Sequence, residues 1–394
     1  MARNPNGEGT YFSKIVNGKT RYFWRINYNG KQVEKSASTQ KELKKKVSDW
    51  KRNVAYLGFD PYSQTLAEFA KSYFKVSTNN LKQSTIDWYK YISKLYLEPP
   101  PLGKKRLSRL DPMSIESYFQ SLSGKLSPGT ISGIRRCLHV VLNGALKQGY
   151  IAINPCTRAK APRAEHKEIP IPSKEEIHKY LEIAKEGNYI FTNGKFGEND
   201  GIIFMKEEFY SVLLVSLFCG LRRGEVYGLL WNNIDLEAGT MQITHTLAED
   251  SLGKHLTEPK TDSSRRKISM PNNVIENLKE WKQKQTTYAE TYGDLFNNDL
   301  NLVFPNTFGN PVNMSTANRG HWYKFRKACG LPSNFHWHYW RHWHVSYLVS
   351  LGIDIAEITR RMGHADSSVT YRVYTHAFQH DDSSVVDAIN KSWK

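Results

Sequence analysis

Hydrophobic residues cluster along residues 9 to 36 in three short runs rich in β-branched and aromatic side chains. Asn17-Gly18 and Asn29-Gly30 separate these runs, and Asn-Gly in such a position is typical of a tight hairpin turn. Thr39 and Glu42 then fit the capping box that opens a helix. Apolar residues follow at helical spacing: Leu43, Val47, Trp50 and Val54. The pattern predicts a three-stranded meander with one helix packed on it.

The next hundred or so residues change to a helical period. The predicted helices are Leu66 to Lys75, Gln83 to Leu97, Pro112 to Ser121 and Ser127 to Gln148. They imply a compact four-helix domain. Residues 155 to 172 mix Pro, Lys and Arg without periodicity, which predicts an extended linker.

A third domain opens with helices and then passes through strand-like segments before it returns to helices. Its clearest segments are the helices Lys174 to Glu186 and Glu207 to Phe218 and the strands Met241 to His245 and Arg266 to Met270. The predicted fold class is therefore multidomain α+β, ending in a mainly α domain with a small antiparallel sheet. The predicted boundaries are 1–60, 61–160 and 161–394, the last including a C-terminal tail whose apolar edge suits docking on its own domain or on a neighbouring subunit.

The charge distribution points to a polyanionic partner. The net charge is +17, and the first 60 residues hold 13 Lys/Arg against 5 Asp/Glu, the next 100 hold 15 against 5, and the remainder 27 against 28. Two basic modules thus precede a near-neutral domain, an arrangement that fits DNA, RNA or an acidic surface. The longest apolar stretch is too short for a membrane span, the N-terminus lacks a secretory signal, and the four cysteines show no zinc-site spacing. These features predict a cytoplasmic protein without a metal site.

Basic residues in the first two domains are candidate DNA contacts. Arg21 and Arg25 interleave with aromatic residues on the second predicted strand, which suits a sheet laid against a DNA groove. Further candidates are Lys104, Lys105, Arg106, Arg135 and Arg136. Simpler alternatives remain, because Trp24 on the same strand suits a small core and any one of the basic residues suits a solvated face.

Candidate chemistry lies in the third domain, as cations and imidazoles in short local motifs. The residues, in order, are Arg222, Lys260, His338, Arg341, His364 and Tyr374. The sequence holds no GxxxxGK[ST] loop, HExxH, GxSxG or carboxylate cluster, so nucleotide hydrolysis and two-metal chemistry lack their usual groups. We therefore expect no cofactor, and a reaction that runs on cations, imidazoles and one nucleophile.

The order and spacing of these motifs resemble the tyrosine recombinase family, in particular integrases of temperate phages and of conjugative transposons from Gram-positive bacteria. Members carry an Arg in a TGLRxxE-like turn, a Lys in a β-hairpin, an HxxRH box, a GH or GW pair and a Tyr some ten residues later. The resemblance spans nearly the whole chain. Tyr339, Trp340 and Trp343 depart from the commoner HDLRH pattern, so the local packing of this box should differ.

The resemblance implies a role for each residue. Arg222 and Arg341 would clamp the scissile phosphate, since guanidinium groups present paired donors and stay charged. Tyr374 would be the nucleophile. The other implied roles are general base for His338, general acid for Lys260, hydrogen-bond donor for His364, and support for Glu225 and His342. Lys267 remains a rival to Lys260, and Tyr371 a rival to Tyr374.

The implied function is site-specific recombination by a mobile-element integrase, through a 3′ phosphotyrosine and without ATP or metal. Residues 1–60 would bind arm sites and the later domains the core site of double-stranded DNA. A homotetramer would exchange strands through a Holliday junction, with an excision factor or a host DNA-bending protein as possible partners. The alternatives are a resolvase, a type IB topoisomerase and a DNA-binding protein without catalysis.

Overall fold

A computed structural model describes residues 8–28, 31–57, 64–76, 81–162, 171–187, 206–259, 264–306, 308–314 and 321–364. The chain divides into two compact units, Met1–His166 and Lys167–Lys394. The first unit contains a small sheet with one helix and a set of further helices, each with its own hydrophobic core. The second unit contains the residues with candidate chemistry.

The N-terminal sheet is the predicted antiparallel meander. Its strands are β1 (Thr10–Val16), β2 (Lys19–Tyr28) and β3 (Lys31–Ala37), followed by helix α1 (Gln40–Leu57). Asn17 and Gly18 have φ of 52° and 72°, the left-handed conformation that a two-residue hairpin of this kind requires. The Thr39 hydroxyl accepts a hydrogen bond from the Glu42 amide, as the predicted cap requires.

The two faces of this sheet differ in chemistry. Trp24 is fully buried against α1, where its ring lies 5.2 Å from that of Trp50. Phe12 and Phe23 stack on each other at 5.3 Å, and the guanidinium of Arg25 lies 5.1 Å from the Phe12 ring. The interpretation of Trp24 as core is therefore confirmed. Because side chains alternate along β2, the outer face carries both aromatic and basic groups.

The helices of the first unit lie close to their predicted positions. They are α2 (Leu66–Val76), α3 (Gln83–Ile92), α4 (Pro112–Leu122) and α5 (Pro128–Lys147). A π-helical turn, Ser93–Leu97, continues α3. Asp111 and Ser127 cap α4 and α5, and in both helices a proline occupies the first turn, where its missing N–H costs nothing.

The predicted linker at residues 155 to 172 is wrong in its first part. Pro155–Thr157 forms a 3-10 turn, and Cys156 and Ala159 lie buried in the core of the helices. Arg135 donates to the carbonyl oxygens of Ala159 and Cys156, at 3.2 and 3.5 Å. This stretch packs against the helices because the side chains of Cys156 and Ala159 lie in their core. Two small apolar residues are too few to show a periodic pattern in the sequence. Residues 163 to 170 lie outside the described residues.

The second unit begins with α6 (Lys174–Glu186) and α7 (Lys206–Cys219), followed by the short α8 (Arg223–Tyr227). Strands β4 (Ile234–Asp235), β5 (Thr240–Ile243) and β8 (Arg266–Ser269) form an antiparallel sheet in the order β4-β5-β8. Strands β6 (Thr246–Asp250) and β7 (Gly253–Thr257) form a separate hairpin that the sequence pattern did not predict. The remaining helices are α9 (Asn272–Tyr292), α10 (Tyr323–Ala328), α11 (His338–Ser350) and α12 (Ile355–Met362).

Aromatic residues fill much of the core of this unit. Trp340 is fully buried, and its ring lies 4.9 Å from that of Phe335 and 5.9 Å from that of Trp322. Trp337 donates its indole N–H to the Ser216 hydroxyl on α7 at 3.1 Å. These contacts fix α11 against α7. In the part of the chain that the structure describes, no helix is long and apolar enough to span a membrane.

Candidate active site

Four of the six predicted catalytic residues lie among the described residues: Arg222, His338, Arg341 and His364. Both predicted supporting residues, Glu225 and His342, are described as well. Lys260 and Tyr374 lie outside the described residues, as do the rival nucleophile Tyr371 and the C-terminal tail. The described part of the site consists of its cations, imidazoles and one carboxylate.

Arg222 stands at the N-terminal end of α8, at the turn that follows α7. Gly220 opens this turn with φ of 66°, and a β-carbon there would lie 2.6 Å from Cδ2 of His344, so the position suits glycine alone. The Arg222 backbone N–H donates to Oε2 of Glu225 at 2.9 Å, and its guanidinium donates to Oε1 at 2.7 Å. The Arg222 side chain keeps 38% of its surface exposed, so it can also reach a ligand.

Glu225 is the anionic centre of the site. Its side chain is 4% exposed, and it accepts hydrogen bonds from Arg266 at 3.0 and 3.3 Å in addition to those from Arg222. The guanidinium of Arg341 lies 3.9 Å from Oε2. Burial alone would raise the pKa of Glu225, but the charge and hydrogen bonds of Arg266, and then the charges of Arg222 and Arg341, lower it to about 2. Glu225 is thus ionised and surrounded by three guanidinium groups.

Arg341 forms the floor of the site. Its side chain is 3% exposed, and its guanidinium donates to the carbonyl oxygens of Gly220, at 2.7 Å, and of Met362. These contacts join α11 to the turn before α8 and to the end of α12. Among the two predicted phosphate clamps, Arg222 is the exposed one, whereas Arg341 contributes a fixed positive charge from beneath.

Two imidazoles lie on the first turns of α11. The rings of His338 and His342 meet edge to face, with centroids 5.0 Å apart. Burial, followed by the positive charges of His342, Arg341 and Arg222, lowers the pKa of His338 to about 4. Burial also lowers the pKa of His342, with help from Arg341 and His336. Both rings are therefore neutral at pH 7, the state in which an imidazole can accept a proton.

His364 enters the site from the C-terminal end of α12. Gly363 ends that helix in a left-handed conformation with φ of 62°, and the His364 amide donates back to the Thr359 carbonyl at 3.2 Å. Burial and then the charges of Arg341, Arg222, Arg266 and His338 together lower the pKa of His364 to about 4. The four described catalytic candidates thus share one electrostatic environment.

Arg266 and Arg361 were not predicted as site residues, although Arg266 is the first residue of a predicted strand. The Arg266 side chain is 5% exposed and donates to Glu225 and to the Arg361 carbonyl oxygen. Arg361 donates to Nε2 of His344 at 3.2 Å and to the carbonyl oxygens of Ser269 and Phe218. Arg266 alternates with apolar Ile268 and Met270 along the predicted strand Arg266 to Met270, and this is the one sequence signal that its side chain points inward.

The rival cation Lys267 points away from this site. It is exposed on β8 opposite Gln242, and its neighbours Arg266 and Ile268 carry the inward-facing side chains. Since successive residues of a strand alternate in direction, Lys267 lies on the other face of β8 from Arg266.

The aromatic departures from the commoner second motif are accommodated by packing. Trp340 belongs to the aromatic core, and Trp343 stacks on Tyr347 at 4.9 Å and donates to the Pro172 carbonyl at 2.9 Å. Tyr339 packs against Phe335 at 4.9 Å. Bulky groups therefore occupy positions around α11 without displacing Arg341 from its carbonyl partners. Cys219 is also buried, and burial raises its pKa to about 12, so it is a structural thiol.

This arrangement suits the stabilisation of a phosphate group. An exposed guanidinium, a buried one beneath it and neutral imidazoles nearby provide positive charge and hydrogen-bond donors in fixed positions. Within the described ranges, no group of three or more His, Cys, Asp or Glu side chains is arranged to hold a metal ion.

The predicted DNA contacts of the first unit occupy varied positions. Arg21 is exposed on β2, whereas Arg25 is paired with Glu34 at 2.6 Å. Lys104, Arg106 and Arg136 are exposed, and Lys105 is half-buried. Arg135 instead holds the turn after residue 154 through the carbonyl contacts described above.

Two family models match parts of this chain. Residues 204–380 match the model of the phage integrase family, and residues 65–123 match the model of the phage integrase N-terminal SAM-like domain. The two matches fall on separate units of the chain.

Individual relatives cover nearly the entire chain. A tyrosine recombinase XerC-like protein of Caldanaerobacter subterraneus subsp. tengcongensis is 26% identical over 95% of this chain and 97% of its own. The prophage ps2 probable integrase of Lactococcus lactis subsp. lactis is 24% identical over 98% of each chain. In fold, the chain is similar to the Tn1549 transposon integrase in complex with a circular intermediate DNA, with a TM-score of 0.67 and 19% identity over 83% of this chain and 99% of that one.

Proposed function

The chain belongs to the phage integrase family, the tyrosine recombinases, and from this premise we propose that it cuts and rejoins DNA through a covalent phosphotyrosine at Tyr374. The observation that carries the proposal is that Arg222 and Arg341 flank the buried Glu225 carboxylate and that the charges of both arginines act on His338 and His364. These residues come from three separate segments of the chain, and each matches a motif position in the order that the family requires.

In the proposed reaction, the phenolic oxygen of Tyr374 attacks the scissile phosphorus. The new bond links that oxygen to phosphorus, and the bond from phosphorus to the 5′ oxygen of the DNA breaks. The tyrosine proton passes to His338, whose low pKa keeps it neutral and able to accept. Lys260 gives a proton to the departing 5′ oxygen.

The cations stabilise the charge that builds up on the non-bridging oxygens. Arg222 reaches the phosphate directly, since its side chain remains partly exposed while Glu225 holds its base. Arg341 adds positive charge from the floor, and His364 donates a hydrogen bond. A 5′ hydroxyl from a second DNA then reverses the attack and reseals the strand, with no need for ATP or a metal ion.

The first unit is proposed to bind DNA. Its outer sheet face, with Arg21, Phe23 and Arg25, would bind arm sites, and the basic residues Lys104, Lys105, Arg106 and Arg136 would contact the core site. Assembly as a homotetramer is proposed because λ integrase, to which the fold is similar with a TM-score of 0.55, has been solved as a tetramer bound to a Holliday junction. The basic N-terminal module favours an integrase over a resolvase.

The test is covalent capture of DNA. Purified full-length protein is incubated in EDTA with a library of short duplexes that carry a nick near each candidate site, so that the cleaved fragment diffuses away. DNA that stays attached to protein after denaturation is sequenced, and Arg222→Gln is the matched variant. We expect a recurring sequence from the wild type and a yield from Arg222→Gln that is lower by about 100-fold or more. Tight binding without any adduct would contradict the proposal and favour a non-catalytic DNA-binding protein.

A further inference from the structure

No step of the proposed reaction gives Arg266 a role. Its side chain is only 5% exposed, and it contacts Glu225, the carboxylate that also holds the partly exposed Arg222. Nη1 and Nη2 donate to the two carboxylate oxygens of Glu225 at 3.3 and 3.0 Å, and Nε donates to the Arg361 carbonyl oxygen at 2.7 Å. This is the forked geometry that distinguishes arginine from lysine.

These contacts join three segments that lie far apart in sequence. Glu225 fixes the backbone and guanidinium of Arg222, and the Arg361 carbonyl belongs to the last turn of α12, three residues before His364. Arg266 itself is the first residue of β8, six residues after Lys260. A single side chain therefore ties the Arg222 turn and the His364 turn to the strand that follows Lys260.

Arg266 also changes the charge that the site presents. Without it, Glu225 would cancel one of the two positive charges of Arg222 and Arg341, leaving a net charge of about +1 for a phosphate that gains negative charge in the transition state. With Arg266 the group carries about +2. The burial of Glu225 and Arg266 keeps this balance unscreened by solvent.

We propose that Arg266 is a positioning residue for the recombination reaction: it neutralises Glu225 and holds the Arg222 and His364 turns in register. The inference rests on the proposed function for its effect on cleavage. Its effect on the His364 turn is independent of catalysis and is measured separately.

The experiment compares three full-length variants on a nicked duplex that carries the DNA sequence recovered by covalent capture. Arg266→Met removes the guanidinium, Arg266→Lys keeps the charge without the fork, and Arg265→Met is the control. Arg265 is adjacent in sequence, but its side chain is 54% exposed and pairs with Glu258 on the surface. Single-turnover adduct formation and DNA affinity are measured for each, on a normal duplex and on one with a neutral methylphosphonate at the scissile position.

We expect Arg266→Met to slow adduct formation on the normal duplex by about 100-fold, because misplaced groups lose their alignment with the transition state. DNA affinity should change by less than about threefold, since Arg266 is buried and its loss leaves the exposed candidate DNA contacts of the first unit unchanged. On the methylphosphonate, which carries less negative charge, the loss should be at least about tenfold smaller. Equal losses on both duplexes would overturn the electrostatic role of Arg266.

Arg266→Lys keeps the test informative if Arg266→Met fails to fold. It should slow adduct formation by about tenfold, because one ammonium cannot hold both a carboxylate and a carbonyl. A wild-type rate for this variant would overturn the positioning role, as would an effect of Arg265→Met equal to that of Arg266→Met.

Hydrogen exchange of the DNA-free proteins separates this inference from the proposed function. In Arg266→Met, amides from Met362 to His364 should exchange about fivefold faster than in Arg265→Met, since a hydrogen bond to this turn is lost. Unchanged exchange would contradict the inference even if the wild type cleaves DNA. Faster exchange with no adduct from the wild type would support positioning and contradict the proposed function instead.

Discussion

Replacement of Glu225 by glutamine should destabilise the second unit, because it removes the anion that three guanidinium groups share. The substitution keeps the size of the side chain and the ability to accept a hydrogen bond, so the main change is electrostatic. Arg266 and Arg341, at 5% and 3% exposed, would then remain buried without their counter-ion.

The expected magnitude follows from the pKa of Glu225. That pKa falls from 4.5 to about 2 on folding, which corresponds to about 3 kcal/mol of stabilisation at neutral pH. A carboxylate with a lowered folded pKa stabilises the protein above pH 4.5 and loses this contribution as the pH falls towards 2. The difference between wild type and Glu225→Gln should therefore shrink over that pH window.

The assay is urea unfolding of the full-length chain, followed by the fluorescence of tryptophans such as Trp337 and Trp340 in the core of the second unit. Glu237→Gln is the control, since the Glu237 side chain is 87% exposed in its pair with Lys279. At pH 7.5 the Glu225 variant should lose about 3 kcal/mol and the control less than about 0.5 kcal/mol. A loss below about 1 kcal/mol for Glu225→Gln, or a loss that persists undiminished at pH 3, would refute the electrostatic reasoning.

Four further predictions concern the same unit. Glu208→Gln should stabilise it by about 4 kcal/mol at pH 7.5, with no gain below pH 4.5, because burial raises the pKa of Glu208 to about 8; urea titration at both pH values decides. Gly220→Ala should cost about 2 kcal/mol, since the left-handed backbone and the contact with His344 both oppose a β-carbon, and an unchanged urea midpoint would contradict this. Trp340→Ala should cost about 4 kcal/mol by the same titration, whereas a loss under about 1 kcal/mol would mean that the core collapses around the gap. The pH profile of kcat/KM for cleavage should show its acid limb near pH 4, the lowered pKa of His338, and a limb near 6.5 would show that burial has no such effect.

Much of the fold follows from local pattern. The N-terminal meander has Asn-Gly at a turn that needs left-handed backbone, and helices α4 and α5 carry caps and N-terminal prolines next to regular apolar spacing. The β6-β7 hairpin was missed because its short strands mix polar and charged residues and bury little. Cys156 and Ala159 were assigned to a linker because two small residues do not form a period, although both are buried.

The candidate site was likewise predicted only in part from local pattern. Motif spacing identified Arg222, His338, Arg341 and His364, and the structure brings these four together. The contribution of Arg266 depends on contacts with Glu225 and Arg361, which lie 41 and 95 residues away in sequence. No local pattern encodes such distant partners. The burial of Arg341 could not be predicted for a similar reason, since the carbonyl groups that its guanidinium contacts come from two other elements.

The most direct test of the account is the identity of the residue that bonds to DNA. The captured adduct is digested with protease and nuclease, and the peptide that carries the nucleotide is identified by mass spectrometry, with Tyr374→Phe and Tyr371→Phe run alongside. We predict a phosphotyrosine at Tyr374, lost in Tyr374→Phe and retained in Tyr371→Phe. An adduct on Tyr371, or one that survives Tyr374→Phe, would contradict it.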